Sequence, residues 1–185
     1  MNNTLQQYKF NKIAILGTGV MGAQISAHFA NCNIPVVMLG QKGLAKEALN
    51  LLTKQNPPPL AVKSFADNIA IGDFETDLEM LKDCDLVIEA IVEDIEIKKQ
   101  FFNTIAPYLD QDVIIASNTS GLSIDTIAEI LPEANRSNFF GIHFFNPPRF
   151  MPLLELIASK YSNEDALYKL DGFFTSYVGK EVVHA

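Results

Sequence analysis

The sequence predicts an α/β domain built on a doubly wound, mainly parallel sheet. Two observations carry that expectation. Short, continuous apolar runs alternate with helical stretches along most of the chain, as strands joined by crossover helices do. A glycine-rich turn, Gly17-Thr18-Gly19-Val20-Met21-Gly22, falls between the first apolar run and the first helical stretch.

Lys12–Leu16 reads as the first strand and Val20–Asn31 as the helix after the turn. Pro35–Leu39 is a second strand and Leu44–Lys54 a second helix, stopped by Gln55-Asn56-Pro57-Pro58-Pro59. Asn68–Ile71 is a third strand, Leu78–Lys82 is helical, and Leu86–Ala90 has the charge-flanked apolar look of a buried parallel strand. Asp94–Ala106 is an amphipathic helix, with Ile95, Lys98, Phe102 and Ile105 at helical spacing. Val113–Ala116, Phe139–His143, Leu153–Ile157 and Glu181–Val183 read as strands, and Ser123–Ile130 and Glu164–Tyr177 as helices.

At 185 residues the chain is one large domain or slightly more, and 48% hydrophobic residues with 19% charged ones can build a proper core. A net charge of −8 argues against nucleic acid, which wants a basic face, yet says little against a phosphorylated cofactor held by backbone dipoles. Cys32 and Cys84 fit neither a disulfide framework nor a zinc spacing, and are expected as reduced, buried thiols. His28 and His184 have no metal-ligand partner at useful spacing, so no metal site is expected. The acidic stretch Asp67–Asp85 reads as solvated surface, and the thirteen phenylalanines as core or as a seat for another domain. Residues 1–10 read as an extension without the features of a signal peptide or mitochondrial presequence, and no apolar run reaches membrane-spanning length. The expectation is a cytoplasmic protein. The chain stops at Val182-Val183-His184-Ala185, just after a strand, and is expected to be a domain of something longer.

A glycine turn between strand and helix is the Rossmann-type arrangement for a dinucleotide. Gly17 permits the tight turn, Gly19 lets a pyrophosphate approach the backbone, and Gly22 lets helix and strand pack closely. The helix start at Val20 and Met21 then offers unpaired N–H groups and a partial positive charge to the phosphates. The second strand, however, ends Met38-Leu39-Gly40-Gln41-Lys42, without the carboxylate that usually grips the adenosine ribose. Losing such a charge-assisted bond costs about 1.5–3 kcal/mol. Gln41 is a neutral substitute, whereas Lys42 would suit a 2′-phosphate. NAD is the first expectation and NADP the alternative.

Farther along, Gly141-Ile142-His143-Phe144-Phe145-Asn146-Pro147-Pro148 sets one histidine at a strand end, and Glu155 follows in the next apolar run. A carboxylate that holds an imidazole's tautomer makes it a base near neutral pH. Histidines in apolar runs are often structural, and Glu155 reads equally as an exposed strand-end charge. Asn-Pro-Pro forces a loop here, and ligands of α/β sheets sit at such strand-to-loop transitions.

Together these residues resemble the N-terminal domain of the L-3-hydroxyacyl-CoA dehydrogenases of fatty-acid β-oxidation, bacterial forms in particular. The likeness runs through the glycine turn, Val87-Ile88-Glu89-Ala90-Ile91-Val92-Glu93, Ser117-Asn118-Thr119-Ser120, the histidine segment, Glu155 and Gly179-Lys180-Glu181-Val182-Val183. It implies oxidation of a (3S)-3-hydroxyacyl-CoA to the 3-oxoacyl-CoA. His143 would be the base and Glu155 its partner. Ser120 and Asn146 would lie beside the nicotinamide and the reacting oxygen, and Glu93 and Lys98 would contact the cofactor. The family's ribose-binding acid falls at Gly40, and its CoA-holding helical hairpin falls at the short, proline-rich region 56–65. It also implies a helical C-terminal domain that closes the cleft and builds a dimer. None of that domain lies in these residues, so the chain alone is expected to turn over poorly. Related dehydrogenases of other 3-hydroxy compounds, and a non-catalytic dinucleotide-binding module, are the alternatives.

Overall fold

Every residue of the first apolar run, Ile13–Leu16 (β1), is buried, as a strand covered by helices on both faces must be. A computed structural model describes residues 8–185 of the chain. In chain order there follow α1 (Val20–Asn31), β2 (Val36–Gly40), α2 (Leu44–Leu52), β3 (Ile69–Asp73), β4 (Leu86–Glu89), α3 (Ile95–Ile105), β5 (Ile114–Ser117), α4 (Ile124–Ile130), β6 (Phe139–Phe144), β7 (Leu153–Ala158), α5 (Glu164–Phe173) and β8 (Glu181–His184). The strands form one sheet in the order β3-β2-β1-β4-β5-β6-β7-β8. The first six are parallel; β7 runs antiparallel to β6, and β8 parallel to β7. The doubly wound sheet is therefore as the sequence predicts. Its order reverses between β1 and β4, and such a reversal opens a crevice at the strands' carboxyl ends.

One hydrophobic cluster joins α1, α2 and α5 to the sheet, and a second joins α3 and α4 to its other face. Phe29 of α1 anchors the first through Phe144 and Phe173, at ring distances of 5.9 and 6.2 Å. Caps follow side-chain chemistry: Asp94 accepts from the Glu96 and Ile97 N–H groups, Ser123 from Thr126 and Asn163 from Asp165.

Several expectations need correction. Leu78–Leu81 is helical as expected, in the 3₁₀ form, whereas the last α-helix ends at Phe173, passing through a π-turn at Phe174–Val178. That wider turn lets Gly179 take a left-handed φ of 77° and return the chain to β8. Asp67–Asp85 is not merely solvated: Leu78, Leu81 and Cys84 are buried, and the Asp85 carboxylate accepts the backbone N–H groups of Asn11 and Lys12. Cys32 is only half-buried. Residues 1–7 of the expected N-terminal extension lie outside the described residues. Phe10 belongs to the core, edge-on to Phe173 at 4.7 Å, so the segment from Tyr8 is part of the domain. Among the described residues no helix is long and apolar enough to cross a membrane, and no group of three or more acidic, His or Cys side chains could hold a metal ion.

Candidate active site

At the carboxyl end of β1 the glycine turn leaves no space for side chains at its first and last glycines. Gly17 has φ +127°, and a Cβ there would lie 2.3 Å from the Ala90 carbonyl oxygen; one on Gly22 would lie 2.0 Å from the Gly17 oxygen. Gly19 differs, since a Cβ there would meet nothing within 4 Å. That open space faces the start of α1, which has no side-chain cap and no acidic residue in its first turn. Backbone N–H groups left free beside a surface without side chains are what a pyrophosphate needs, so the residues present fit a dinucleotide.

Two clefts flank this turn. One, of about 450 Å³, is lined by Gly17, Thr18, Gly40, Gln41, Leu44, Phe74, Val92, Ile97 and Phe101, a mostly apolar slot. Gly40 is buried at the end of β2, and a Cβ there would lie 2.4 Å from Thr18 Cγ2. Thr18 thus fills the space from which an acid at position 40 would project. Gln41 borders the slot and is exposed. The nearby Asp73 carboxylate, on β3 opposite Gly40, accepts the Gly43 N–H at 2.9 Å.

The other cleft, of about 440 Å³, lies across the reversal in strand order. It brings together Gly19, Val20, Met21, Glu93, Lys98, Ser120, His143 and Asn146. Each of the sequence-predicted residues is therefore at one of the two clefts except Gly22, which packs beneath the turn, and Glu155, which supports from behind. His143 and Glu155 are directly opposed in the antiparallel register of β6 and β7. His143 Nδ1 is 2.8 Å from Glu155 Oε2, so Glu155 is the imidazole's partner rather than a strand-end charge.

Lys98 lines the cleft but does not project freely into it. Its side chain is 1% exposed, and its ammonium lies 2.6 and 2.7 Å from the two oxygens of Glu89, itself fully buried, and 3.3 Å from Glu93. Glu89 also accepts the Ile91 N–H and the Ser117 hydroxyl. Glu93 accepts the Thr119 hydroxyl and the Ser120 N–H on its other oxygen. Burial pushes the Glu93 carboxyl up, but those two bonds and the Lys98 ammonium outweigh it and hold the group below the usual carboxylate range. Asn118 links this wall to the histidine strand, donating its N–H to the Glu89 carbonyl and accepting the Phe144 N–H.

Sequence reasoning gave Glu89, Ser117, Asn118 and Thr119 no separate role. One signal was readable: Lys98 stands in the apolar stripe Ile95, Phe102, Ile105, and a charge on a buried face requires a buried partner.

The loop after β6 is fastened from two sides. Lys180, 5% exposed, donates to the carbonyls of Pro148 and Met151. Arg149 donates to the Pro58 and Leu60 carbonyls, tying the loop to the proline-rich segment, which Asn31 also holds through Pro59 and Ala61. Beneath lies His28, buried with neither ring nitrogen hydrogen-bonded; burial first, then Lys180 and Arg149, pulls its pKa down to about 3.

Comparison with known proteins agrees with this architecture. The family model described as "3-hydroxyacyl-CoA dehydrogenase, NAD binding domain" matches residues 12–185. A putative fatty acid oxidation complex trifunctional enzyme of Rickettsia felis is 44% identical over 185 residues, covering 96% of this chain and 26% of that protein. A probable 3-hydroxyacyl-CoA dehydrogenase of Bacillus subtilis is 38% identical, over 94% of this chain and 25% of its own length. The chain thus spans about a quarter of the length of these two relatives. The crystal structure of a 3-hydroxyacyl-CoA dehydrogenase from Archaeoglobus fulgidus superposes with a TM-score of 0.80 at 30% identity, over 94% of this chain and 56% of that one. The chain belongs to the 3-hydroxyacyl-CoA dehydrogenase family, as its NAD-binding domain.

Proposed function

We propose that the protein oxidises the C3 hydroxyl of a (3S)-3-hydroxyacyl-CoA to the ketone, as a step of fatty-acid oxidation. One observation carries this reading: the His143–Glu155 pair opens onto the same cleft as the bare helix start of α1. NAD, when bound, supplies the hydride acceptor.

The chain's own residues handle position and proton. Glu155 accepts the His143 Nδ1–H, which leaves the Nε2 lone pair free to take the proton of the C3 hydroxyl. The same carboxylate stabilises the imidazolium that results. Ser120 and Asn146, on the loops after β5 and β6, hydrogen-bond the reacting oxygen or the cofactor amide and align C3. The open backbone at Gly19 and the N–H groups at Val20 and Met21 cradle the phosphates, Gly17 and Gly22 let the turn pack that closely, and Glu93 borders the cofactor with Lys98 behind it. Gln41 lies where the adenosine ribose is expected. The whole chain acts as one dinucleotide-binding domain, to be completed by a helical domain that covers the cleft and joins two subunits.

The buried Gly40 favours a second reading, a dinucleotide-binding module without turnover, because the adenosine ribose meets no carboxylate at that position. Assay of the full-length protein with 3-hydroxyacyl-CoA and NAD, beside hydroxy-acid and carnitine substrates, separates the readings. CoA-thioester oxidation supports the proposal; cofactor binding without turnover of any of them favours the module.

A further inference from the structure

Glu89 is fully buried, yet it lines the cleft and is the most heavily bonded carboxylate of its wall. Its two oxygens take the Ile91 N–H, the Ser117 hydroxyl and two contacts from Lys98, so β4, β5 and α3 converge on one buried charge. Lys98 in turn reaches Glu93, which fixes the Ser120 N–H at 2.9 Å. Two carboxylates and one ammonium therefore stand together behind the cleft that also holds His143, with a net charge of −1.

We propose that Glu89 acts through its charge, which leaves the Glu89–Lys98–Glu93 cluster net negative and biases the cleft toward the oxidised form of the cofactor. This rests on the reading that the nicotinamide lies in that cleft. The oxidised ring is a cation and the reduced ring is neutral. A net negative wall of low polarity attracts the first and is indifferent to the second. If Glu89 were absent, Lys98 and Glu93 would cancel and the preference would fall. The charges of His143 and Glu155 are common to every variant and drop out of a comparison of affinity ratios.

The test is the ratio of NAD⁺ to NADH dissociation constants for the 185-residue chain, by calorimetry, with thermal melting as a check on folding. Glu89→Gln shifts the ratio toward NADH by about three- to tenfold, the size expected for one charge across several ångströms of partly screened medium. Glu89→Gln/Lys98→Met also loses the Lys98 contacts to positions 89 and 93 but restores the net charge of −1. It returns the ratio to the parent value, even where both affinities are weaker. A buried ion pair replaced whole by neutral groups is commonly tolerated by the fold. Should Glu89→Gln not fold, Lys98→Met carries the test, because Glu89 keeps its Ile91 and Ser117 donors; there the ratio shifts toward NAD⁺. A ratio unchanged in a folded single variant, or equally shifted in Glu89→Gln and the double variant, overturns the inference while leaving the cofactor site standing. An unaltered chain that binds neither form overturns the cofactor reading and this inference with it.

Discussion

His143 faces Glu155 across the antiparallel pair of β6 and β7, with Nδ1 and Oε2 2.8 Å apart. The twelve-residue separation between them is the length of a strand end, a loop and a strand start, so register alone makes them neighbours. Replacing His143 by Ala should lower turnover by about 10²–10⁴-fold, the usual contribution of a positioned base, with dinucleotide affinity nearly unchanged. Glu155→Gln should cost less, because the ring keeps a neutral hydrogen bond. Steady-state kinetics of the full-length protein, beside cofactor titration, checks both. Comparable turnover in His143→Ala would sink the base assignment.

The adenosine slot makes a second expectation. Gly40→Asp alone meets Thr18, whose Cγ2 would lie 2.4 Å from the new Cβ. Gly40→Asp/Thr18→Ala opens that space and restores a charge-assisted bond. It should tighten NADH binding about ten- to a hundredfold. Titration of the parent, the single and the double variant reads this directly, and no gain in the double would mean that another group already holds the ribose.

Most of the sheet was legible because its strands are continuous apolar runs broken by glycine, proline and charge, and the cofactor turn because only glycine fits at positions 17 and 22. The His143–Glu155 pair is legible as a candidate, and the register of β6 and β7 sets the two side chains opposite one another. What stayed hidden depends on contacts between elements distant in sequence. Nothing local marks Lys180 as the clamp of a loop 29 to 32 residues upstream, or Thr18 as the neighbour of Gly40. The π-turn reads as helix in the sequence because its residues keep the helical apolar spacing while the hydrogen-bond ladder widens.

His28 gives the domain an acid-sensitive element. Its folded pKa is depressed from 6.5 to about 3, so between those values the unfolded chain binds the proton and the native chain does not. Stability from this group is complete above 6.5 and is lost as pH falls toward 3, at up to about 1.4 kcal/mol per pH unit. His28→Leu should remove that slope. Denaturant unfolding of both proteins between pH 4 and pH 7, values chosen to span roughly this window, should show the parent losing ground to the variant as pH falls. Parallel curves would contradict the assignment.

Lys180 should matter more to the loop than to the sheet. Lys180→Met leaves the Pro148 and Met151 carbonyls without their donor, at a cost of about 1–3 kcal/mol. Hydrogen exchange should quicken first at the Phe150 and Met151 amides, which bond back to the Pro147 carbonyl, while the amides of β1 and β4 stay protected. Uniform loss of protection would mean that Lys180 supports the whole fold.

The most direct measurement is a parallel titration of the chain with NADH and NADPH, with Gly22→Ala as the control. A Cβ at position 22 would lie 2.0 Å from the Gly17 carbonyl oxygen, so that variant cannot keep the turn. Saturable NADH binding, preferred over NADPH and lost in Gly22→Ala, is the expected result. NADPH preference, or NADH binding that survives the substitution unchanged, would contradict the placing of NAD on the glycine turn.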